Sequence, residues 1–514
     1  MIKSFITLIV AAAVAGCAST PLSFLDPEAL QTLIPGPSSR GRRVGVRVKA
    51  LGDWVFVQLS KFNRGIQYES SRRSTLQILA GIAGIALVDH SAHALPSFAR
   101  QTGEACTACH VQTWGADLLP RGREFKLRGY TDGEVRSSWI PPVSATIYGG
   151  VFTDLDPGQG KIADANSSYK ASLYYAGRIV DHLGAYVSLS YANRNGALER
   201  YFVDKFDLRL ANQVEVGGVK VNYGISANNQ PGVQDLWNTV PPWNFLWAYW
   251  GASRLLEIDG IRAGNSGGAS VFSMIGDWVY LEAGAYASLP RDVQRGIGRS
   301  KEDPDPMFYT SDLPQLDGGA PYWRFAIQHT LGDHYFSVGH FGFIAETRQP
   351  SFFSVLNGNP LGLVQYRTST TDVGLDATYQ YVGNPDHIFE LKGTYVRESQ
   401  RSRSKAYPLP VEQAWSSTTE LIRVNAAYTW EQTVGISFGY HRQSPGLGRR
   451  GFFPFAYNSR DLEAYTAELA YTPFGKVSSL GSPWLNLRLS LIYAGDLHGQ
   501  GYNDTMFVNG SLAF

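Results

Sequence analysis

The chain has 514 residues, 45 of them basic and 44 acidic, with 44% hydrophobic residues overall. The balanced charge argues against a nucleic-acid binder, which would show a basic excess. The apolar content excludes a disordered chain, and no apolar run approaches the roughly 18 residues of a membrane-spanning helix. With 54 Gly, 28 Tyr and 26 Phe against 3 Cys and 4 Met, the remaining class is a Gly- and Tyr-rich β-protein. A large outer-membrane barrel has this composition.

Two export signals come first. Met1 to Cys17 carries Lys3, an apolar run from Phe5 to Ala15, and Val14-Ala15-Gly16-Cys17, which resembles a bacterial lipoprotein signal with Cys17 lipidated. The second begins at Arg72-Arg73, continues through an apolar run from Leu76 to Val88, and ends at Ala92-His93-Ala94, an A-x-A cleavage site. The arginine pair fits a twin-arginine signal, but an ordinary basic n-region is the simpler reading. The second signal directly precedes the functional region, so 72–94 is assigned as the signal peptide and 1–71 as a leader or gene-model extension. The alternative is a lipoprotein in which 72–94 is a buried or interfacial helix. Ten basic but only five acidic residues precede residue 95, so the chain beyond it has a formal net charge of −4.

The other two cysteines lie in Cys106-Thr107-Ala108-Cys109-His110. C-x-x-C-H is the attachment signature of c-type haem. Two thiols at this spacing add to the two porphyrin vinyl groups, and the adjacent His offers a nitrogen to iron. A redox pair or half a zinc site also uses CxxC. There is no second CxxC for zinc, and the adjoining His favours haem over a disulfide. We therefore expect one covalent haem c on Cys106 and Cys109, with His110 as axial ligand. No Met lies between Met1 and Met274, so this segment offers none for the sixth position. Residues 95–142 are too few to bury a core readily, which predicts a plug wrapped by another structure.

From Val143 to Phe514 the pattern is period-2 alternation in short runs. Val373, Leu375, Ala377 and Tyr379 alternate with Asp372, Gly374, Asp376 and Thr378, and Leu485, Leu487, Leu489 and Leu491 with Asn486, Arg488 and Ser490. Strands are predicted near 143–153, 168–179, 183–193, 203–212, 216–226, 268–275, 278–288, 322–331, 335–345, 369–381, 388–397, 416–430, 433–441, 461–471, 484–494 and 505–514. Short connections fall at Asp181-His182, Gly276-Asp277, Gly332-Asp333-His334, Gly383-Asn384-Pro385-Asp386 and Glu431-Gln432. Long ones span 227–267, 289–321, 346–368, 398–415 and 442–460. A sandwich would alternate similarly, but short turns on one side and long loops on the other indicate an outer-membrane barrel. The expected fold is all-β, a 16-stranded antiparallel transmembrane barrel over 143–514 with the haem-bearing plug 95–142. In the first long loop, Trp237, Trp243, Trp247 and Trp250 are read as an aromatic girdle at the membrane interface rather than a binding surface. Lys301-Glu302-Asp303-Pro304-Asp305 is read as a solvated loop rather than a cation site. The last strand places Met506, Val508, Gly510, Leu512 and Phe514 on one face. A terminal Phe there resembles the signal read by the outer-membrane assembly machinery.

Pro96-Ser97-Phe98-Ala99-Arg100-Gln101-Thr102-Gly103 before the CxxCH, and Arg121-Gly122-Arg123-Glu124-Phe125-Lys126-Leu127-Arg128-Gly129-Tyr130 after it, resemble the fused outer-membrane cytochrome–porins of iron-oxidising bacteria. The specific match is confined to 96–130; the barrel half matches in length and strand rhythm. The family carries an aromatic residue where Arg121 stands. The resemblance implies an Fe(II) oxidase at the cell surface, with one haem in an N-terminal plug of an outer-membrane porin. Extracellular Fe(II) would be the electron donor, and a periplasmic c-type cytochrome or other carrier the acceptor. Physics favours this layout, because ferric iron is insoluble near neutral pH and is best left outside. The apolar belt of a barrel is roughly 25 Å tall, so a single haem must sit within the lumen to lie near both sides.

Cys106, Cys109 and His110 are the firm site residues; no catalytic residue is assigned. Arg100, Gln101, Arg123 and Lys126 flank the haem segment. They could neutralise haem propionates or anchor the plug to inward acids such as Asp376 and Glu468. His340 and His441 are candidates for the distal ligand. His441 shares a face with Ser437 and Gly439 and is expected to point inward, near the extracellular end. His182, His334 and His387 fall in short turns, where they could touch a partner. Three functions compete: an Fe(II)-oxidising outer-membrane cytochrome, an electron conduit for another donor or acceptor, and a transport porin with a non-catalytic haem. A freely conducting lumen would favour the third.

Overall fold

The computed structural model describes residues 95–514 except 113–116, 134–140, 157–160, 163–165, 195–196, 240–264, 300–314, 355–359, 408–411, 445–461, 475, 477–483 and 497–503. Both export signals, Cys17, Trp243, Trp247, Trp250 and the stretch from Lys301 to Asp305 lie outside the described residues.

Among the described residues, sixteen long strands form one closed antiparallel sheet. They are β1 (Val143–Asp156), β2 (Asn166–Val180), β3 (Leu183–Arg194), β4 (Ala197–Val216), β5 (Val219–Asn228), β6 (Ser266–Ile275), β7 (Val279–Ser288) and β8 (Ala320–Leu331), followed by β9 (His334–Ser354), β10 (Pro360–Asn384), β11 (His387–Tyr407), β12 (Glu412–Trp430), β13 (Val434–Ser444), β14 (Leu462–Tyr471), β15 (Asn486–Asp496) and β16 (Asp504–Ala513). Each pairs with its neighbours in sequence, and β1 closes on β16, with Ile147 opposite Leu512 and Val151 opposite Val508. Two-residue strands at Lys161–Ile162 and Gln315–Leu316 only extend β1 and β9. Closure of the first strand on the last removes the open sheet edge, which is what permits strands to cross a bilayer.

The alternation sorts the two faces. Leu281, Val338, Leu375 and Phe438 are exposed on the outside, while Glu282, Ser337, Asp376 and Lys392 are buried inside. A closed wall with an apolar outer belt and a polar interior is an outer-membrane barrel. At the short-turn end, Trp430 lies exposed on the outer face. His334 and His387 stack there on Tyr379 and Tyr428 and hydrogen-bond their hydroxyls through Nδ1 at 2.9 and 2.7 Å. These residues form an aromatic girdle at the interface.

The structure differs from expectation at two of the long connections. Most of 346–368 and 398–415 is strand, because β9 to β12 run for 21, 25, 21 and 19 residues. The ladder there continues through Thr, Ser and Arg, for example Thr368 opposite Ser402. These residues pair well as strands but carry no apolar face, so the hydrophobic pattern stops before the strands do. By contrast β5 and β6 have only 10 residues each. The turn that joins β4 to β5 is Gly217-Gly218, with φ of 58° and 79°, a primed turn that suits the strand twist.

Candidate functional site

Three short helices precede the barrel: α1 (Pro96–Thr102), α2 (Cys106–Cys109) and α3 (Pro120–Leu127). Proline opens α1 and α3, where a missing N–H costs nothing, and left-handed Gly103 and Gly129 follow α1 and α3. The two stretches that carry the family resemblance meet here. Phe98 packs edge-on against Phe125 with ring centres 5.0 Å apart and stacks on Tyr130 at 5.5 Å.

The helices sit inside the short-turn end of the lumen and touch the wall on all sides. The Tyr130 hydroxyl donates to Asp207 Oδ2 at 2.6 Å, and Asp207 also receives Arg209 Nε at 2.7 Å and the Ser226 hydroxyl at 2.6 Å. Across the lumen, Thr429 donates to the Val111 carbonyl at 2.8 Å, and Lys392 Nζ lies 3.3 Å from Asp117. A Cβ on Gly184 would stand 2.1 Å from the Gly129 carbonyl oxygen, so glycine at that point lets the plug backbone rest directly on β3.

The CxxCH lies on α2 and its exit. Cys106 and Cys109 are one turn apart and are thiols, not a disulfide. The His110 amide donates to the Cys106 carbonyl at 2.8 Å, and His110 then turns extended to pair with Leu118. A Cβ on Gly122 would be 2.5 Å from the Cys109 carbonyl oxygen, so α3 lies flush against the cysteine turn. Cys106 is buried against β15, where Asn486 Nδ2 stands 3.5 Å from its sulfur. Cys109 Sγ lies 3.9 Å from Glu104 Oε2. Burial first, and Glu104 next, push its thiol up to about 12. Two thiols on one helical turn with an adjoining imidazole are the donor set of covalent haem. Among the described residues, no group of three or more His, Cys, Asp or Glu side chains could hold a bare metal ion.

The flanking residues hold the plug in place. Arg100 donates to the Val143 carbonyl and lies over the Trp484 ring. Gln101 donates to the Tyr130 and Asp132 carbonyls at 2.7 and 2.9 Å and accepts from the Arg178 amide at 2.8 Å. Arg123 donates to the Leu118 carbonyl and to Gln380 Oε1, over the Tyr335 ring. Lys126 donates to the Asp235 carbonyl and Asn238 Oδ1 at 2.7 and 2.6 Å. Burial, then Arg209, lower its ammonium to about 7. The anchors are thus carbonyls and amides. Asp376 and Glu468 instead pair with Arg324 and Arg488 of the wall, at 2.9 and 2.7 Å. Arg121, the residue that departs from the resembled family, joins Glu104 at 2.9 Å to Asp132 at 2.8 Å. It clamps the chain entering the CxxCH to the last turn of the plug.

Trp237 is not in an interfacial girdle. The chain after β5 forms α4 (Pro231–Gln234) and folds into the lumen, where Trp237 is 3% exposed. Its indole N–H donates to the Tyr335 hydroxyl at 2.8 Å, and Arg324 lies over its ring at 4.7 Å. Lys392 Nζ donates to the Trp237 and Asn238 carbonyls at 2.7 and 3.0 Å. One lysine from the plug and one from the wall therefore grip this segment. Beside it, a cavity of about 330 Å³ lies against α3, lined by Arg123, Leu127, Leu236, Met274, Trp278 and His329 among others. None of its lining belongs to the CxxCH.

The two candidate distal histidines part company. His340 stands on the outer face, accepting from the Trp323 indole at 3.1 Å. It alternates with the inward Gly339 and Phe341, so it is not available to the lumen. His441 faces inward and is fully buried. It lies six strand positions, about 20 Å, beyond Gly435, against which Gln112 of the plug rests.

Neither a family model nor a curated protein matches the sequence. Among solved structures the chain is similar to OprB of Pseudomonas putida, at 13% identity and a TM-score of 0.40 over 80% of this chain and 100% of that one. It is similar to OmpT of Vibrio cholerae at 11% identity and 0.36, covering 72% and 96%. It is also similar to an anion-selective porin from Comamonas acidovorans at 14% and 0.34, covering 72% and 98%. By its own closed wall and filled lumen, the chain is a sixteen-stranded outer-membrane barrel with a helical plug.

Proposed function

We propose that this protein is an outer-membrane c-type cytochrome–porin that passes electrons from extracellular Fe(II) to a periplasmic carrier. One observation carries the reading: an unbridged Cys-x-x-Cys-His turn on a helix seated inside a closed barrel. Cys106 and Cys109 would hold the haem through thioether bonds, and His110 would supply an axial nitrogen. The bound haem would accept and release one electron at a time. The chain's own residues fix where that happens. Arg121 and Glu104 hold the cysteine turn, Gly122 lets α3 back it, and Arg123, Lys126 and Gln101 hold the helices to the wall. Each Fe(II) would lose one electron and leave as Fe(III) on the long-loop side.

The test is a visible spectrum of the purified protein before and after anaerobic addition of ferrous iron. The expected result is a c-type α-band that appears with iron and is absent from Cys106→Ala. Reduction by dithionite but not by iron would make the protein a conduit for another donor.

A transport porin is the second reading. The polar lumen, with inward charges such as Asp376, Arg423 and Glu398, is what favours it. Steady single-channel currents in planar bilayers, in protein that lacks an α-band, would establish that reading instead.

A further inference from the structure

The cysteine turn lies along one strand of the wall. Asn486 and Arg488 are alternate residues of β15, on one face and about 7 Å apart. Asn486 Nδ2 stands 3.5 Å from Cys106 Sγ, and Arg488 Nη2 donates to Gln112 Oε1 at 3.1 Å. Both residues therefore face the plug. The chain from Cys106 to Gln112, which includes His110, touches β15 at each end. Gln112 also rests on Gly435 of β13, where a Cβ would stand 3.1 Å from its amide.

This arrangement brings a wall arginine to the haem-binding motif. Arg488 Nη2 also reaches Glu468 Oε1 of β14 at 2.7 Å, and the Ser437 hydroxyl donates to Glu468 Oε2 at 3.2 Å. One carboxylate and one amide thus fix the guanidinium. Its other terminal nitrogen, Nη1, is buried and has no hydrogen-bond partner among the described residues. A buried donor left without an acceptor is costly, and a second carboxylate would give it a charge-assisted bond. The cations closer in sequence are turned to other groups. Arg100 meets the Val143 carbonyl and Trp484, Arg123 meets the Leu118 carbonyl, Gln380 and Tyr335, and Lys126 meets the Asp235 carbonyl and Asn238. On the plug itself, Arg121 is held by Glu104 and Asp132.

A haem carries propionate carboxylates on its edge. Bonded to Cys106 and Cys109, it would be tied to the stretch of chain that Arg488 touches. We infer, on the haem reading above, that Arg488 binds a haem propionate through Nη1 and that the Arg488–Glu468 pair sets how readily the haem is reduced. Reduction adds one negative charge to the haem. A nearby cation favours that charge and a nearby carboxylate opposes it. While paired, the two largely cancel; removing either one leaves the other to act alone.

The test is a redox titration of the α-band in the purified full-length holoprotein. At a fixed applied potential, Arg488→Gln should lower the ratio of reduced to oxidised haem about tenfold, as loss of one charge roughly 10 Å away predicts. Glu468→Gln should raise the ratio by a similar factor. Arg488→Lys keeps the charge and should stay within about threefold of wild type. Opposite signs are the signature, because simple loosening of the plug would move both variants the same way. Should Arg488→Gln fail to load haem, Glu468→Gln decides alone, and a ratio that does not rise overturns the proposal. Shifts of one sign, or none, in variants that keep their α-band overturn the role of the pair and leave the haem in place. A wild type without an α-band overturns the haem reading and this proposal with it.

Discussion

Lys126 is a buried ammonium that donates to a carbonyl and to an amide oxygen, with Arg209 close by. Its pKa falls from 10.5 to about 7. Between those values the unfolded chain binds the proton and the folded chain does not, so stability rises with pH across that window. Raising the pH from 7 to 9.5 should therefore raise the melting temperature of wild type relative to Lys126→Met; parallel movement of the two would remove Lys126 from the account. Arg121 gives a second expectation. Its bonds to Glu104 and Asp132 are partly buried and charge-assisted, and Arg121→Met should loosen the plug by about 1–2 kcal/mol. The readout is faster proteolysis near residues 104–133 while the barrel melt stays in place; unchanged proteolysis would count against the clamp. At this scale the sequence was legible where chemistry is local. The cysteine–histidine spacing is written in five consecutive residues. Trp237 was misread because the groups that draw it inward, Tyr335 and Lys392, lie 98 and 155 residues away.

The turn between β12 and β13 tests an element. Glu431 and Gln432 adopt φ of 47° and 56°, a region that costs a residue with a Cβ roughly 1 kcal/mol or more. Asn and Gly are the residues such a turn prefers. Replacing Glu431-Gln432 by Asn-Gly should raise stability by about 1 kcal/mol, even with loss of the exposed contact between Glu431 and Lys476. A lower denaturation midpoint would show that the side chains hold the turn. Strands within the membrane were readable because lipid on one side and a polar lumen on the other impose a two-residue period. Above the membrane both faces meet polar surroundings, so β9 to β12 lost their signal near Glu346 and Ser369 although their ladders continue.

For the whole molecule, the helices and the segment that ends at Thr239 together fill the short-turn end of the lumen. Wild type should pass little current in planar bilayers. Removing both grips, as in Lys126→Met/Lys392→Met, should raise conductance several-fold; no change would mean that other contacts make the seal. The distance along the chain over which the plug is held has a further consequence. Cys106 reaches Asn486 across 380 residues, near the upper limit of contact order for this chain, and such contacts form late. The plug is synthesised first, yet its pocket is complete only when the first strand meets the last. Cys106 is then 4% exposed. A group joined to its sulfur would have to be joined while the barrel is still open, before the first strand meets the last.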